Sequence, residues 1–573
     1  MINYKEEIAK LLNGLIEGME YEEILSIIEV PTDEKMGDYA FPCFKLAKIL
    51  RKAPPAIAGD LADRIQGNPL FRKVESVNAY LNMFMSREEF AVAVLQEVMP
   101  APEKYGRSDI GQNRKVIVEF SSPNIAKPFH IGHIRSTVIG NAIYKIYDCL
   151  GYDTVRINHL GDYGTQFGKM IVAYRRWGNK EDVVNAPIET LLSYYVKFHE
   201  EVEKDPELDI EARAAFSALE KGAPEEMELW QWFREESLKE FSKVYKLLNI
   251  EFDSYAGESF YSEKMDRFVK ELDEKGLLKE SNGARIVDLE QYGLPPALIT
   301  KSDGSTLYIT RDIAAAVYRK EHYDFYKNLY IVGNQQLLHF QQWIKIVELL
   351  GYQWARDCIH IPFGLVSLED GDALSTRKGK VVFLEDVLKK AVEKTREIII
   401  EKNVNTDNID ETAAQVGIGA VIFNELSNSR EKDYVFSWDK VLTFDGETGP
   451  YVQYTHARAC SIMRNAGTEA VKKAMDISNI KAGHISSESA FRLAKLIYGY
   501  PEAVVEAGER YEPSFVARHI VDVAQAFNRL YHDEHILVDN EEEKISKLAL
   551  IIAAKTVINN GLGLLGVHAP EKM

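Results

Sequence analysis

The chain has 573 residues, 46% hydrophobic and 10% aromatic, with 69 Lys plus Arg against 88 Asp plus Glu for a formal net charge of −19 at pH 7. At roughly 150 residues per domain this is about four domains with ample material for buried cores, which excludes disorder, collagen and small disulfide scaffolds. Taken alone, so negative a charge argues against a polyanionic partner.

The first residues, MINYKEEIAKLLNGL, carry no basic segment followed by an apolar run, and apolar runs such as LALIIAA (548–554) fall far short of the ~18 residues that span a bilayer. A soluble cytoplasmic protein without membrane contact is expected. Cys43, Cys149, Cys358 and Cys460 form no C-x-x-C pair, which fits buried thiols in a reducing compartment and predicts no zinc site.

Residues 1–110 read as a mixed α+β module: helical pattern at both ends, turns at Pro31-Thr32-Asp33 and Pro54-Pro55, and a strand over 77–85 (VNAYLNMFM). The turn-rich PAPEKYGRSDIGQN (100–113) is a linker. From 114, the apolar runs VIVEF, TVRINHL, LYIT, LYIVG and IHIPFGLV alternate with amphipathic stretches, the pattern of a parallel α/β sheet. A helical acidic insertion falls near 175–280, the catalytic block runs over 111–390, and 391–449 is a helical connector. After 450 the strands stop, and periodicities such as SFVARHIVDVAQAFNRLYHD predict a helical bundle to 573. Charge follows this division: residues 201–280 sum to −10, 111–180 to +6 and 451–573 to −1.

VIVEF (116–120) leads through a loop held by Pro123 and Pro128 into a helix starting near Gly132, with Ile134, Val138, Ala142, Ile146 and Leu150 on a spacing of four and Gly151 ending it. Free amides and the positive dipole end favour a phosphate at that start. His130 and His133 lie there, Gly132 leaves room between them, and Lys127 adds a cation. Such groups suit negative charge building on a phosphoryl group in transit. The plain alternative is a pair of capping or surface histidines.

The run PNIAKPFHIGH (123–133) resembles the HIGH signature of class I aminoacyl-tRNA synthetases in the extended form of the arginyl-tRNA synthetases. The resemblance continues through NHLGDYGTQFGK (158–169), LYITRD (307–312), QLLH (336–339), LSTRKG (374–379) and GPYVQYTHAR (449–458), in the family's order. It implies a Rossmann-like catalytic core between a tRNA-contacting N-terminal module and a DALR-type anticodon-binding bundle.

Ser375, Thr376, Arg377, Lys378, Gly379 and Lys380 place three cations in four positions beside a glycine, a loop able to close over a triphosphate or to remain an ordinary solvated turn. In the resembled family this is the counterpart of the KMSKS loop, here without the lysine expected after the serine, a charge that Lys127 can supply. With Pro123, Phe129, His130, Gly132 and His133, residues Ser375, Thr376 and Lys378 are the expected ATP contacts, and Lys127, His130, His133, Arg377 and Lys378 the expected catalytic cations and donors.

A guanidinium pocket needs carboxylates. Glu119 is next to last in the first strand, and Asp312 opens the helix after LYIT with Thr310 as expected N-cap and Tyr308 four residues earlier. A structural ion pair for Glu119 and dipole compensation for Asp312 are the bland readings. The resemblance implies that Glu119, Tyr308 and Asp312 read an arginine side chain while Ser122, Asn124, Gln336 and His133 hold its α-amino and carboxylate groups.

For RNA, Lys45, Lys48, Arg51 and Lys52 share one helical stretch without an acid from 39 to 59, a phosphate-contacting or merely solvated face. Arg458, Arg464, Arg492, Arg510, Arg518, Arg529, Tyr511 and Tyr531 mix cations and aromatics in the bundle, a composition that stacks unpaired bases. The expected function is arginine activation by ATP and transfer to the terminal ribose of tRNA(Arg), with magnesium entering with ATP, no dedicated metal cage, tRNA required for the first step, and action as a monomer. Another H-x-G-H nucleotidylyltransferase and a non-catalytic RNA-binding relative are the alternatives. No editing block separates the motifs; a guanidinium site can discriminate without one.

Overall fold

The structure, a computed structural model, describes residues 3–301, 308–368, 382–401 and 408–573, which fall into two compact units. The first comprises Met1–Tyr105, Thr455–Tyr500 and Asp522–Asn560; the second comprises Gly106–Tyr454, Pro501–Val521 and Gly561–Met573.

In the first unit, β1 (Tyr39–Pro42), β2 (Phe71–Val77) and β3 (Tyr80–Met85) form an antiparallel sheet in the order β1-β3-β2. The single strand expected over 77–85 is therefore a hairpin corner: Asn78 takes φ +56, a left-handed conformation that asparagine tolerates, and reverses the chain. The basic stretch is also shorter than its spacing implies. Its helix covers only Leu46–Leu50, Arg51 turns left-handed at φ +51, and Lys45 and Lys52 pair with Glu23 and Asp60 at 3.5 and 2.5 Å.

The C-terminal periodicities become the helices Gly449–Ala466, Glu488–Glu509, Ser514–Asp533 and Glu541–Leu564. The last is long and apolar enough to cross a membrane by length and composition, yet 83% of its apolar window is buried in the protein. Within the first unit Tyr105 donates its hydroxyl to the Ile497 carbonyl (3.0 Å) and Lys495 pairs with Asp38 (3.1 Å), fastening the N-terminal module to these helices. Several expected RNA contacts are engaged internally: Arg458 lies 5.3 Å over the Tyr531 ring, and Arg529 pairs with Asp533 at 2.8 Å. In the second unit, Arg510 pairs with Glu506 at 3.0 Å and Tyr511 stacks on Tyr147.

The second unit is built on β4 (Lys115–Glu119), β5 (Asp153–Ile157), an antiparallel trio of β6 (Leu278–Ser281), β7 (Ala284–Val287) and β8 (Ala297–Thr300), then β9 (Lys327–Gly333), β10 (Cys358–Phe363), β11 (Val366–Leu368) and β12 (Tyr434–Phe436). Strands β10-β9-β4-β5 are parallel in that order, with Glu119 facing Ile157 on one side and Tyr330 on the other. Val116, Ile117 and Val118 are fully buried, as an unbroken apolar run in a parallel sheet should be. One expected strand is overturned. Tyr308, Ile309 and Thr310 of LYIT begin the helix Tyr308–Tyr323, so Thr310 is a buried residue of its first turn and not its N-cap. The periodicity there is helical; four β-favouring residues simply precede an alanine-rich run. The connector likewise contributes a strand, β12, which pairs in parallel with β11.

The acidic insertion forms the helices Pro187–Val202, Glu207–Glu220 and Pro224–Leu248, where Arg176–Glu211 (2.5 Å) and Arg175–Glu226 (2.7 Å) use part of its charge. All four cysteines are buried and none forms a disulfide, and burial raises Cys43 and Cys358 to about 12 and Cys149 to about 11.

Candidate active site

Strand β4 is followed in sequence by β5 on one side and then by β9 on the other, so the sheet changes direction beside β4, and ligands of such sheets bind beyond the carboxyl ends at that point. Glu119 ends β4. The loop after it is unusual: Ser121, Ser122 and Ala126 all adopt positive φ (+70, +46 and +57), which side chains with a Cβ adopt only when their surroundings enforce it.

The enforcement is visible. The Ser121 amide donates to Ser136 Oγ (2.9 Å), which donates to the Ile331 carbonyl (2.8 Å). Ser121 Oγ meets Thr137 Oγ1 (2.9 Å) and Tyr245 Oη (2.8 Å), and Asn158 Nδ2 donates to the same phenol (2.9 Å). Further on, the Ala126 amide donates to Ser237 Oγ (3.0 Å), and Asn124 forms a parallel bridge with Gly161, where an added Cβ would lie 2.1 Å from Asn124 Oδ1. The helix of the acidic insertion thus buttresses the loop.

The next helix starts at His133 with Gly132 before it. The His130 amide donates to His133 Nδ1 (3.1 Å) and the Gly132 amide to His130 Nδ1 (3.0 Å). An amide is an obligate donor, so His130 Nδ1 accepts and that ring carries its proton on Nε2, whereas His133 Nδ1 lies between the His130 amide and, at 3.2 Å, the His130 carbonyl, so either tautomer satisfies it. The His133 imidazole is pulled down to about 3 by burial, with His130 and Lys127 adding to the fall, and burial lowers His130 too. At pH 7 the pair is neutral, two N–H donors whose ring centres are 4.0 Å apart. Phe129 is buried, 5.1 Å from the His133 ring. Lys127 is exposed as a residue, but loss of water around its ammonium lowers its pKa against the pull of Glu258.

Ser375, Thr376, Arg377 and Lys378 lie outside the described residues. The Val382 carbonyl accepts from the Ile131 amide (3.1 Å), while the Leu384 amide donates to the Phe129 carbonyl (2.9 Å). These bonds join the residues at the start of the helix Leu384–Glu401 to the histidine loop.

The carboxylates are both present and both partnered. Glu119, 6% exposed, pairs through Oε2 with the fully buried Arg319 (2.5 Å), and Asp312 Oδ2 meets His339 Nε2 (2.5 Å). Burial raises Tyr330, with Glu119 and Asp312 adding to the rise. Arg311 pairs with Glu258 (3.2 Å), whose carboxyl burial pushes up. Tyr308 is 58% exposed at the start of its helix, near the Arg311 guanidinium (5.4 Å), and Gln336 is exposed in the turn after β9. Ser122 Oγ is buried without a hydrogen-bond partner, Pro123 is buried and Asn124 exposed.

Three family models match: "tRNA synthetases class I (R), catalytic domain" over residues 94–438, "DALR anticodon binding domain" over 452–573 and "Arginyl tRNA synthetase N terminal domain" over 3–85. The chain belongs to the class I arginyl-tRNA synthetase family. It is 58% identical to the arginine–tRNA ligase of Clostridioides difficile (strain 630) and 57% to that of Halothermothrix orenii (strain H 168), over 573 residues and 100% of each chain. Among solved structures it resembles arginyl-tRNA synthetase from Thermus thermophilus, with a TM-score of 0.80 at 25% identity over 100% of this chain and 99% of that one.

Asp162, fully buried in the GDYG run, accepts from the Ser259 amide (2.8 Å) and Arg234 Nε (3.0 Å), clasping the insertion to the segment bearing Glu258. Sequence reasoning passed over Ser121, Tyr245, Arg311, Arg319 and His339. A signal existed for Arg319: it lies four plus seven residues after Tyr308 and seven after Asp312, on one helical face. Ser121 and Tyr245 are 124 positions apart, beyond any local pattern.

Proposed function

We propose that the chain is an arginine–tRNA ligase that activates L-arginine with ATP and transfers the arginyl group to the 3′ terminal ribose of tRNA(Arg) for protein synthesis. The observation that carries this reading is the end-to-end identity of 58% and 57% with relatives of that name. In the first step an arginine carboxylate oxygen attacks the α-phosphorus of ATP and the bond to pyrophosphate breaks, the electron pair leaving with pyrophosphate. The Nε2–H group of His130 and the ring of His133 bind phosphoryl oxygens in transit, and Lys127 adds a desolvated positive charge. Neutral donors suit this task because they bind developing charge without surrendering a proton. Gly132 lets the nucleotide approach the helix start, flanked by Pro123 and Phe129. Ser375 and Thr376 contact the ATP, and Arg377 and Lys378 neutralise the leaving pyrophosphate. In the second step a ribose hydroxyl attacks the acyl carbon and AMP leaves; no protein nucleophile is needed.

Glu119, Tyr308 and Asp312 read the guanidinium, and Ser122, Asn124, Gln336 and His133 hold the α-amino and carboxylate groups. The orphaned hydroxyl of Ser122 supports this, since a buried donor without a partner is costly unless a ligand satisfies it. Magnesium enters with ATP as part of the substrate. The enzyme works in the cytoplasm as a monomer, with its helical C-terminal block on the anticodon side of the tRNA. Arginine-dependent exchange between ATP and pyrophosphate, with and without tRNA, tests the reading. Exchange that needs both arginine and tRNA is expected; exchange driven by another amino acid, or none at all, would overturn it.

A further inference from the structure

Two carboxylates close together in a poorly solvated pocket repel each other, and one of them tends to take up a proton. A guanidinium reader has the opposite requirement: both must stay ionised and keep fixed oxygens open before the ligand arrives. Glu119 and Asp312 share one feature that fixes an oxygen of each. Each is engaged through one oxygen by an internal nitrogen: Glu119 Oε2 by Arg319 Nη1 and Asp312 Oδ2 by His339 Nε2, both at 2.5 Å. Among the described residues no hydrogen bond reaches the remaining oxygens, Glu119 Oε1 and Asp312 Oδ1.

The two nitrogens are themselves immobilised. Arg319 is fully buried, with its guanidinium between the rings of Tyr261 (5.8 Å) and Tyr330 (5.6 Å). His339 sits in the first turn of the helix Leu337–Leu349, directly after the turn that ends β9. Arg319 and Asp312 belong to one helix at a spacing of seven, so two turns of that helix set the position of one reader and the anchor of the other.

We propose that Arg319 and His339 are positioning residues of the amino-acid pocket, each holding one carboxylate by one oxygen so that the other oxygen faces the substrate guanidinium in a fixed direction. The proposal rests on the assignment of Glu119 and Asp312 as the guanidinium readers. Preorganisation of this kind improves affinity by removing the cost of orienting the site when the ligand binds.

The test is arginine-dependent ATP–pyrophosphate exchange in the presence of tRNA, with separate KM values for arginine and ATP. The variants are His339→Leu, His339→Gln, Arg319→Met and Arg319→Lys, with Asp312→Ala and Glu119→Gln as controls. His339→Leu and Arg319→Met are expected to raise the arginine KM about tenfold or more while the ATP KM stays within about twofold, the loss of a hydrogen bond to Asp312 in the first and of an ion-pair partner of Glu119 in the second. His339→Gln places an amide donor where Nε2 stood and is expected to return most of the arginine affinity. An unchanged arginine KM in His339→Leu and Arg319→Met, beside a raised one in Asp312→Ala, overturns the proposal and leaves the pocket assignment standing. Wild-type arginine KM in both Asp312→Ala and Glu119→Gln overturns the pocket assignment itself. Parallel rises in both KM values with lowered thermal stability, and no recovery in His339→Gln, confine these residues to the fold and overturn the proposal. Should Arg319→Met fail to fold, the partly exposed His339 pair decides alone.

Discussion

Gly140 lies in the helix His133–Cys149 where it crosses the residue after β4, and replacing it with alanine sets two effects against each other. Alanine favours a helix interior over glycine by about 1 kcal/mol. Against that, the added methyl would lie 2.1 Å from Phe120 Cβ and 2.3 Å from its Cγ. Favourable carbon contacts need about 3.5–4.0 Å, so helix and strand must separate by more than about 1 Å. Phe120 cannot rotate away, because its Cβ is fixed to a backbone whose amide donates to the Ile157 carbonyl (3.1 Å), and the side chain is fully buried. Overpacking of this degree costs about 1–3 kcal/mol or more and outweighs the helix gain. The separation falls between Glu119 and Ser121 on one side and the His130–His133 turn on the other. A misplacement of about 1 Å at reacting groups costs on the order of 10²-fold. Gly140→Ala should therefore unfold at lower temperature and lose on the order of 10²-fold in kcat for ATP–pyrophosphate exchange. A variant with wild-type melting and wild-type kcat would refute both the packing and its link to the site.

Arg135 and Glu425 form a fully buried pair at 2.6 Å, and Arg135 also donates to the carbonyl of Lys432, so Glu425→Gln should destabilise the catalytic unit by about 3–5 kcal/mol in urea unfolding; a loss below about 1 kcal/mol would contradict this. His133 is held at about 3 when folded against an ordinary 6.5, so the unfolded chain binds the extra proton between those values and stability falls as pH drops below about 6.5. The contribution is up to about 1.4 kcal/mol per pH unit, and unfolding of His133→Gln followed from pH 7 to 5 should lose about one proton from the wild-type slope; equal slopes would count against it. Affinity for tRNA should fall steeply with added salt despite the net charge of −19, because residues 111–180 carry +6. A flat salt response in a binding titration would exclude local basic patches.

Much of the core was legible because its signals are local. The apolar run before PNIAKPFHIGH, the fourfold apolar spacing after it and the glycine that ends it specify strand, loop and helix whatever surrounds them. Local pattern failed where two segments compete or combine. LYIT has strand-favouring residues, but three of them join the helix Tyr308–Tyr323 because its buried apolar face continues into Ile313, Ala316 and Val317. The run 77–85 reads as one strand, but a left-handed Asn78 makes it a hairpin. The basic stretch after Lys45 shares a helical spacing on paper, and Arg51 ends the helix before that spacing can matter.

The sequence by itself determined that the chain carries a strand–loop–helix with two histidines at the helix start, a parallel sheet and a helical C-terminal block. Those follow from periodicity, turn chemistry and residue type, which act over a few neighbours. Only the tertiary structure decided which groups are free and which are already satisfied. Glu119 meets Arg319 two hundred residues away, Asp312 meets His339 on the next helix, and the strained loop after β4 is held by a tyrosine from the insertion. Ion pairs and buried hydrogen bonds form between whatever groups the fold brings within about 3 Å, and no local pattern records which those are.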